Sequence, residues 1–173
     1  MINDGYKDIM NVDCSKTVIE QMESHYSEKM PMLKWKQADA RNMKEDFEAG
    51  TFDAVIDKAC FDSVVCGDYS GPNSKLFLSE VDRVLKDGGI YISITYGVPD
   101  NRIRHFVPKT AQPYNWGSSV QTMRVAKLTI KTSDLIKENI EGGKRIDKDD
   151  GKNFHYIYIM QKAVRQAPAP TSP

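Results

Sequence analysis

DIMNVDCSKTVIEQM, residues 8–22, joins a short apolar run ending on an acid, Asp13, to a run with helical periodicity. Residues 7–13 form a strand candidate, and Ser15 stands where an N-cap serine accepts a hydrogen bond from the first helical turn. Val18, Ile19, Met22 and Tyr26 then fall on one helical face, and Pro31 stops the run. Strand, acid, cap and amphipathic helix in that order form the repeating unit of a parallel α/β sheet.

The unit recurs downstream. Residues 33–39, LKWKQAD, alternate and end on Asp39, and residues 52–57, FDAVID, end on Asp57. Ser74 to Lys86 has helical spacing, with Leu76, Phe77, Val81, Val84 and Leu85 inward, and Gly88-Gly89 is read as its stop because glycine accepts the left-handed backbone of a helix end. Ile90 to Tyr96 is a fourth strand. Residues 97–119, with three prolines, are expected to be irregular. Val120 to Ile130 and Phe154 to Gln161 read as two further strands, with a short helix expected at Ser133 to Ile140. The expected domain spans residues 1–162, and residues 163–173, ending in APAPTSP, are read as a disordered tail.

A chain of 173 residues can bury one sizeable core, and 40% apolar with 28% charged residues is ordinary soluble composition, which sets the domain count at one. Basic and acidic side chains both number 24 and are interleaved. A nucleic-acid binder shows a basic excess or stripe, so no nucleic-acid partner is expected. No run reaches membrane-spanning length and the amino terminus lacks the pattern of a signal peptide, so no membrane partner is expected and the location is read as cytoplasmic. Cys14, Cys60 and Cys66 form no CxxC pair and have no histidine at ligand spacing. No metal is expected, and the thiols are read as reduced, small core residues.

Ligands of open parallel sheets sit outside the carboxyl ends of the strands. Three acids are expected at that edge. Asp13 suits the two hydroxyls of a ribose, Asp39 can accept from the exocyclic amine of adenine while the Ala40 N–H donates to a ring nitrogen, and Asp57 faces the reacting end. Aspartate is also common simply where loops begin. The weight therefore rests on three acids in register, which leave dinucleotides, mononucleotides and S-adenosylmethionine equally open.

The set NVDCS, WKQADARNM, FDAVIDKACFDSVV, LSEVDRVLKDGGIYISIT, RIRHF and FHYIYIMQK resembles the class I S-adenosylmethionine-dependent methyltransferases over residues 5–162, and among them the eukaryotic lysine methyltransferases of elongation factor 1A. The resemblance implies a Rossmann-like sheet, mostly parallel with a carboxyl-terminal antiparallel strand, and S-adenosyl-L-methionine as cofactor. It implies that Asp13, Cys14, Ser15, Asp39, Ala40, Asp57 and Lys58 bind the cofactor. It implies that Asp57, Tyr96, Arg104, His105 and Trp116 meet a protein substrate, such as a translation elongation factor. Ala59-Cys60 stands where relatives often carry Gly-Thr. Methyl transfer to a neutral lysine needs alignment above all, worth on the order of 7 to 11 kcal/mol. Asp57 is therefore given a positioning role, His105 no catalytic role, and no residue is assigned as catalytic.

Relatives begin with a further strand and a Gly-x-Gly turn that closes the methionine end of the site, and this chain is expected to be amino-terminally incomplete by comparison. The absent strand would lie between those ending at Asp13 and Asp57. Three readings follow: a shortened methyltransferase, a catalytically inactive interaction module completed by a partner chain that fills the strand position, or a nucleotide-binding enzyme of another class.

Overall fold

A computed structural model describes residues 1–108, 114–116, 120–126 and 154–164 of the chain. The expected helix at Ser133 to Ile140, residues 127–130 of the fifth expected strand and residues 165–173 of the tail lie outside the described residues.

After a 3-10 turn at Ile2–Asp4, the elements run β1 (Ile9–Asp13), α1 (Lys16–Tyr26), β2 (Leu33–Gln37), β3 (Phe52–Lys58), α2 (Cys60–Val64), α3 (Ser70–Val84), β4 (Leu85–Thr95), α4 (Pro99–Phe106), β5 (Val120–Ala126) and β6 (Phe154–Gln161). The opening stretch folds as its pattern dictates. Ser15 caps α1, its hydroxyl accepting the Val18 N–H at 3.4 Å, and Ile19 turns into the protein.

The strands form two groups. β1 and β2 pair in parallel, and β3, β4, β6 and β5 form a four-stranded sheet in that order. Within it β3 and β4 are parallel, whereas β6 is antiparallel to both β4 and β5. The Rossmann-like α/β class is as expected, with a mixed set of pairings, two parallel and two antiparallel among the described strands, β6 being the carboxyl-terminal antiparallel strand.

Helix ends differ from expectation in two places. α3 starts at Ser70 because Gly71-Pro72 falls in the first turn, where a missing N–H costs nothing. It ends at Val84, and Leu85 is already extended and paired with Phe52. Gly88, at φ 78, serves an irregularity between the Leu85 and Ile90 pairings, so it is not the helix stop. A Cβ at Gly89 would stand 2.8 Å from the Lys86 carbonyl. The region read as irregular contains α4, whose Pro99 occupies the first turn, where its fixed φ suits a helix.

The core lies on one face of the four-stranded sheet. Phe61 of α2, Phe77, Leu78 and Val81 of α3, and Phe106 of α4 pack there against Tyr91, Tyr156, Tyr158 and Met160. Trp116 joins them. The alternation of β4 is inverted relative to an ordinary half-buried strand: Tyr91, Ser93 and Thr95 are buried on the helix side, and Ile90, Ile92 and Ile94 point the other way. That opposite face continues through Ile56 of β3, Ile157 and Ile159 of β6, and Met123 of β5, by strand register. Ile56 and Met123 are 45% and 53% exposed.

Candidate functional site

β1 and β3 face each other across a cleft of about 770 Å³. Met10 and Val12 line one wall, Phe52 and Ala54 to Lys58 the other, and Ala38 to Arg41 with Asn73 and Phe77 close it. The volume lies in the range of small-molecule sites. Six of the seven expected cofactor residues meet here: Asp13, Cys14, Asp39, Ala40, Asp57 and Lys58 all line the cleft. Ser15 does not, because its hydroxyl caps α1.

The three acids differ in what already engages them. Asp13 accepts the Ser15 N–H on Oδ1 at 2.7 Å, a turn that aims the carboxylate along the rim. Asp39 is gripped by Arg41, whose Nη2 lies 2.7 Å from Oδ2 and whose backbone N–H donates to Oδ1 at 2.9 Å. This side-chain pairing holds the Asp39 carboxyl below its ordinary value. Arg41 also reaches Asn73 Oδ1 at 3.3 Å, tying the rim of β2 to α3. Sequence reading passed over Arg41, although an aspartate that accepts from the backbone two residues on is ordinary turn chemistry.

Asp57 corrects its expected role. Its carboxylate turns inward, accepting the Phe61 N–H at 2.9 Å and the Tyr91 hydroxyl at 2.7 Å, and the residue is only 7% exposed. Burial raises its pKa, against the hydrogen bonds that lower it. Asp57 thus fixes the start of α2 and does not point at an acceptor. Just beyond it, Ala59 adopts φ 63, a left-handed conformation costly for a residue with a Cβ. Its N–H donates to Ile94 O at 2.9 Å, and this sharp turn puts Ala59, Cys60 and Ser63 on the cleft wall.

The thiols also depart from expectation, because all three cysteines are exposed. Cys14 and Cys60 line the cleft. Cys60 is exposed as a residue but its thiol is partly desolvated against the cleft wall, and this, then the negative charges of Asp57 and Asp13, pushes it up to about 11, which keeps it protonated at neutral pH. No group of three potential metal ligands occurs among the described residues.

Apart from Asp57, the expected substrate residues are not gathered at the cleft. Trp116 is buried, donates its indole N–H to Phe106 O at 3.0 Å and stacks on Tyr114 at 4.6 Å, so it is a core residue. His105 Nδ1 lies 3.0 Å from Ser74 Oγ and its ring meets Phe61 edge-on, which makes it part of the α3–α4 contact. Burial, with Arg104 and Arg102 nearby, lowers its pKa. Arg104 is exposed on α4 and does not line the cleft. Tyr96 stands at the carboxyl end of β4, half exposed, beside His155.

The family described as "Methyltransferase domain" matches residues 1–93, more than half of the chain. The chain belongs to this family. The methyltransferase domain is 33% identical over 120 residues to mouse "EEF1A lysine methyltransferase 4", a match that covers 65% of this chain and 45% of that protein. It therefore spans less than half the length of that curated relative. A solved structure from Methanosarcina mazei described as SAM-dependent methyltransferases shares its fold, with a TM-score of 0.52 at 15% identity, covering 91% of this chain and 83% of that one. A Haloferax volcanii putative methyltransferase, solved as a complex with the Trm112 methyltransferase activator, aligns with a TM-score of 0.57 at 14% identity, covering 95% and 76%. S-adenosylmethionine is the cofactor of such domains. The donor set of the cleft fits the adenosyl part of that molecule: two rim carboxylates, a neighbouring backbone at Ala40, and an apolar floor of Val55, Val64 and Phe77.

Proposed function

We propose that the cleft between β1 and β3 binds S-adenosyl-L-methionine and that the domain transfers its methyl group to a lysine of a protein, in the manner named for the mouse relative. The observation that carries this reading is the convergence of Asp13, Asp39-Ala40 and Asp57-Lys58, from three separate strand ends, on one cleft. Asp13 receives the ribose hydroxyls on the oxygen that Ser15 leaves open. Asp39 and the Ala40 N–H hold the adenine edge, with Arg41 fixing the carboxylate. Lys58 and the Ala59 turn line the end where reaction occurs. The bound cofactor supplies an activated methyl group on a sulfonium, and the chain supplies alignment. A translation elongation factor is the acceptor that the relative's name indicates, and a cytoplasmic setting goes with it.

A specific observation favours a second component. Among the described strands β1 pairs only with β2 and β3 only with β4, so each presents an edge to the cleft. Buried donors and acceptors left without partners cost about 1 to 3 kcal/mol each. One further strand, parallel to both and supplied by a partner chain, satisfies both edges by strand addition. The isoleucine face of β3, β4 and β6 calls for an apolar cover on the same completing unit. In an inactive relative this assembly would itself be the function.

Calorimetric titration with S-adenosylmethionine tests both. It is performed on the chain and on a fusion carrying an added strand and glycine-rich turn ahead of Met1. Binding that weakens at least tenfold on Asp13→Ala supports the cofactor site. Binding by the fusion alone places the need for the added strand. Failure of both proteins to bind overturns the methyltransferase reading and leaves the interaction module.

A further inference from the structure

Arg41 lines the cleft beside Asp39 and stands outside the residues that the family resemblance implies. Its grip on Asp39 is a fork. The backbone N–H and Nε of Arg41 donate to Oδ1 at 2.9 and 3.0 Å, and Nη2 donates to Oδ2 at 2.7 Å. Nη1 reaches Asn73 Oδ1 on α3 at 3.3 Å, so the guanidinium has partners on both sides of the cleft's closed end. The backbone beneath the fork is fixed as well. The Ala38 N–H donates to Asp13 O at 3.0 Å, the Asn42 N–H to Asp39 O at 2.8 Å, and the Met43 N–H to the buried Glu80 carboxylate at 2.7 Å. Asp39 and Arg41 therefore meet in one geometry although both side chains are partly exposed.

Acceptor positions on Asp39 are limited. A carboxylate offers about four lone-pair positions, two on each oxygen. Arg41 fills both on Oδ1 and makes the shortest bond to Oδ2, the 3.2 Å approach of Nε to Oδ2 being the long branch of a bond shared with Oδ1. One position on Oδ2 is left for a ligand in the cleft. The side-chain hydrogen bonds of Arg41 also hold the Asp39 carboxyl below its ordinary value, and an ionised carboxylate accepts without donating.

We propose that Arg41, backed by Asn73, is the specificity-determining residue of the cleft: it leaves Asp39 a single acceptor position, which takes a purine with a 6-amino group and refuses its 6-oxo counterpart. This rests on the reading of the cleft as the cofactor site. An exocyclic amine donates to the open position. A 6-oxopurine brings an oxygen to the same place and carries a hydrogen on N1 where adenine has an acceptor, so Asp39 and the Ala40 N–H each face a like group. A site built to hydrogen-bond a polar group rejects the analogue that leaves its own groups unpaired. Without the fork the carboxylate is free to turn and accept the N1–H, and the discrimination is lost. A lysine keeps the charge but cannot bridge two oxygens.

The test is calorimetric titration of the full chain and of the fusion with S-adenosylhomocysteine, the demethylated product, and with its 6-oxo counterpart, S-inosylhomocysteine. The parent is expected to prefer the adenine compound at least thirtyfold. Arg41→Ala is expected to bring that preference below threefold, Arg41→Lys to an intermediate value, and Asn73→Ala to lower it less than Arg41→Ala does. A role confined to folding weakens both compounds together, so a parent-like preference in either Arg41 variant overturns the proposal. A parent that binds both compounds alike also overturns it, while leaving the cofactor site itself standing. Binding of neither compound by the chain or the fusion counts against the reading of the cleft and removes this proposal with it.

Discussion

The Tyr91 hydroxyl donates to Asp57 Oδ2 at 2.7 Å, pinning a buried carboxylate whose other oxygen accepts the Phe61 N–H in the first turn of α2. The pairing joins residues 34 apart and converts a strand-end acid into a helix-start anchor. Tyr91→Phe removes one donor and leaves the carboxylate under-satisfied. A loss of about 1 to 3 kcal/mol is expected by urea unfolding at neutral pH.

The same site sets a pH dependence with a definite sign. Burial raises the Asp57 pKa above its unfolded value, so the folded state holds the proton more tightly. The contribution of this group is then fully present below the unfolded pKa of 3.8 and is lost as pH rises through the folded value. Asp57→Asn is expected to flatten that part of the profile. Thermal melts at half-unit steps from pH 4 to 7 read it, and an unchanged slope would contradict the placement.

Asp62 behaves oppositely. Burial alone would raise its pKa, but hydrogen bonds from Thr95 and Arg102 outweigh it and the net shift is downward. Its stabilisation is present above the unfolded pKa and is lost as pH falls through the folded one. Arg102→Met leaves a half-buried carboxylate without its partner, at a cost of about 3 kcal/mol. The double variant Asp62→Asn, Arg102→Met is expected to recover most of that loss in denaturant unfolding. Additive losses would mean that the pair is not coupled.

Ala59→Gly should stabilise the chain. A non-glycine residue in the left-handed region costs roughly 1 to 3 kcal/mol, offset by the extra chain entropy of glycine. A net gain of about 1 kcal/mol is expected in the unfolding midpoint, with the cleft geometry retained.

Lys162 is buried, and its ammonium donates to the carbonyls of Asp82 and Leu85 at the end of α3, the latter at 2.8 Å. It neutralises the carboxyl end of the helix from a distant strand. Lys162→Met keeps the stem and deletes the donors, with an expected loss of about 2 kcal/mol by thermal or urea unfolding. A parent-like midpoint would show that water replaces the cap.

Much of the site was legible because it is local. Asp13 and the Ser15 cap follow from hydrophobic period and turn chemistry within a few residues, and the same logic placed Asp39 and Asp57 at strand ends. The inversion of β4 is also written in Ile90-Tyr91-Ile92-Ser93-Ile94-Thr95, once the strand's faces are known. α4 was missed because three prolines read as irregular, although Pro99 opens a helix.

The chain's pattern by itself determined the order of the strands and of helices α1 and α3, and the presence of acids at the carboxyl ends of the strands, since both depend on period and neighbours. Only the tertiary structure decided which acids remain available to a ligand. Asp57 turns inward because Tyr91 and the start of α2 compete for its oxygens, and Trp116 leaves the substrate region because the Phe106 carbonyl satisfies its indole inside the core. A side chain's direction is set by partners that folding brings from far along the chain, and no local spacing records them.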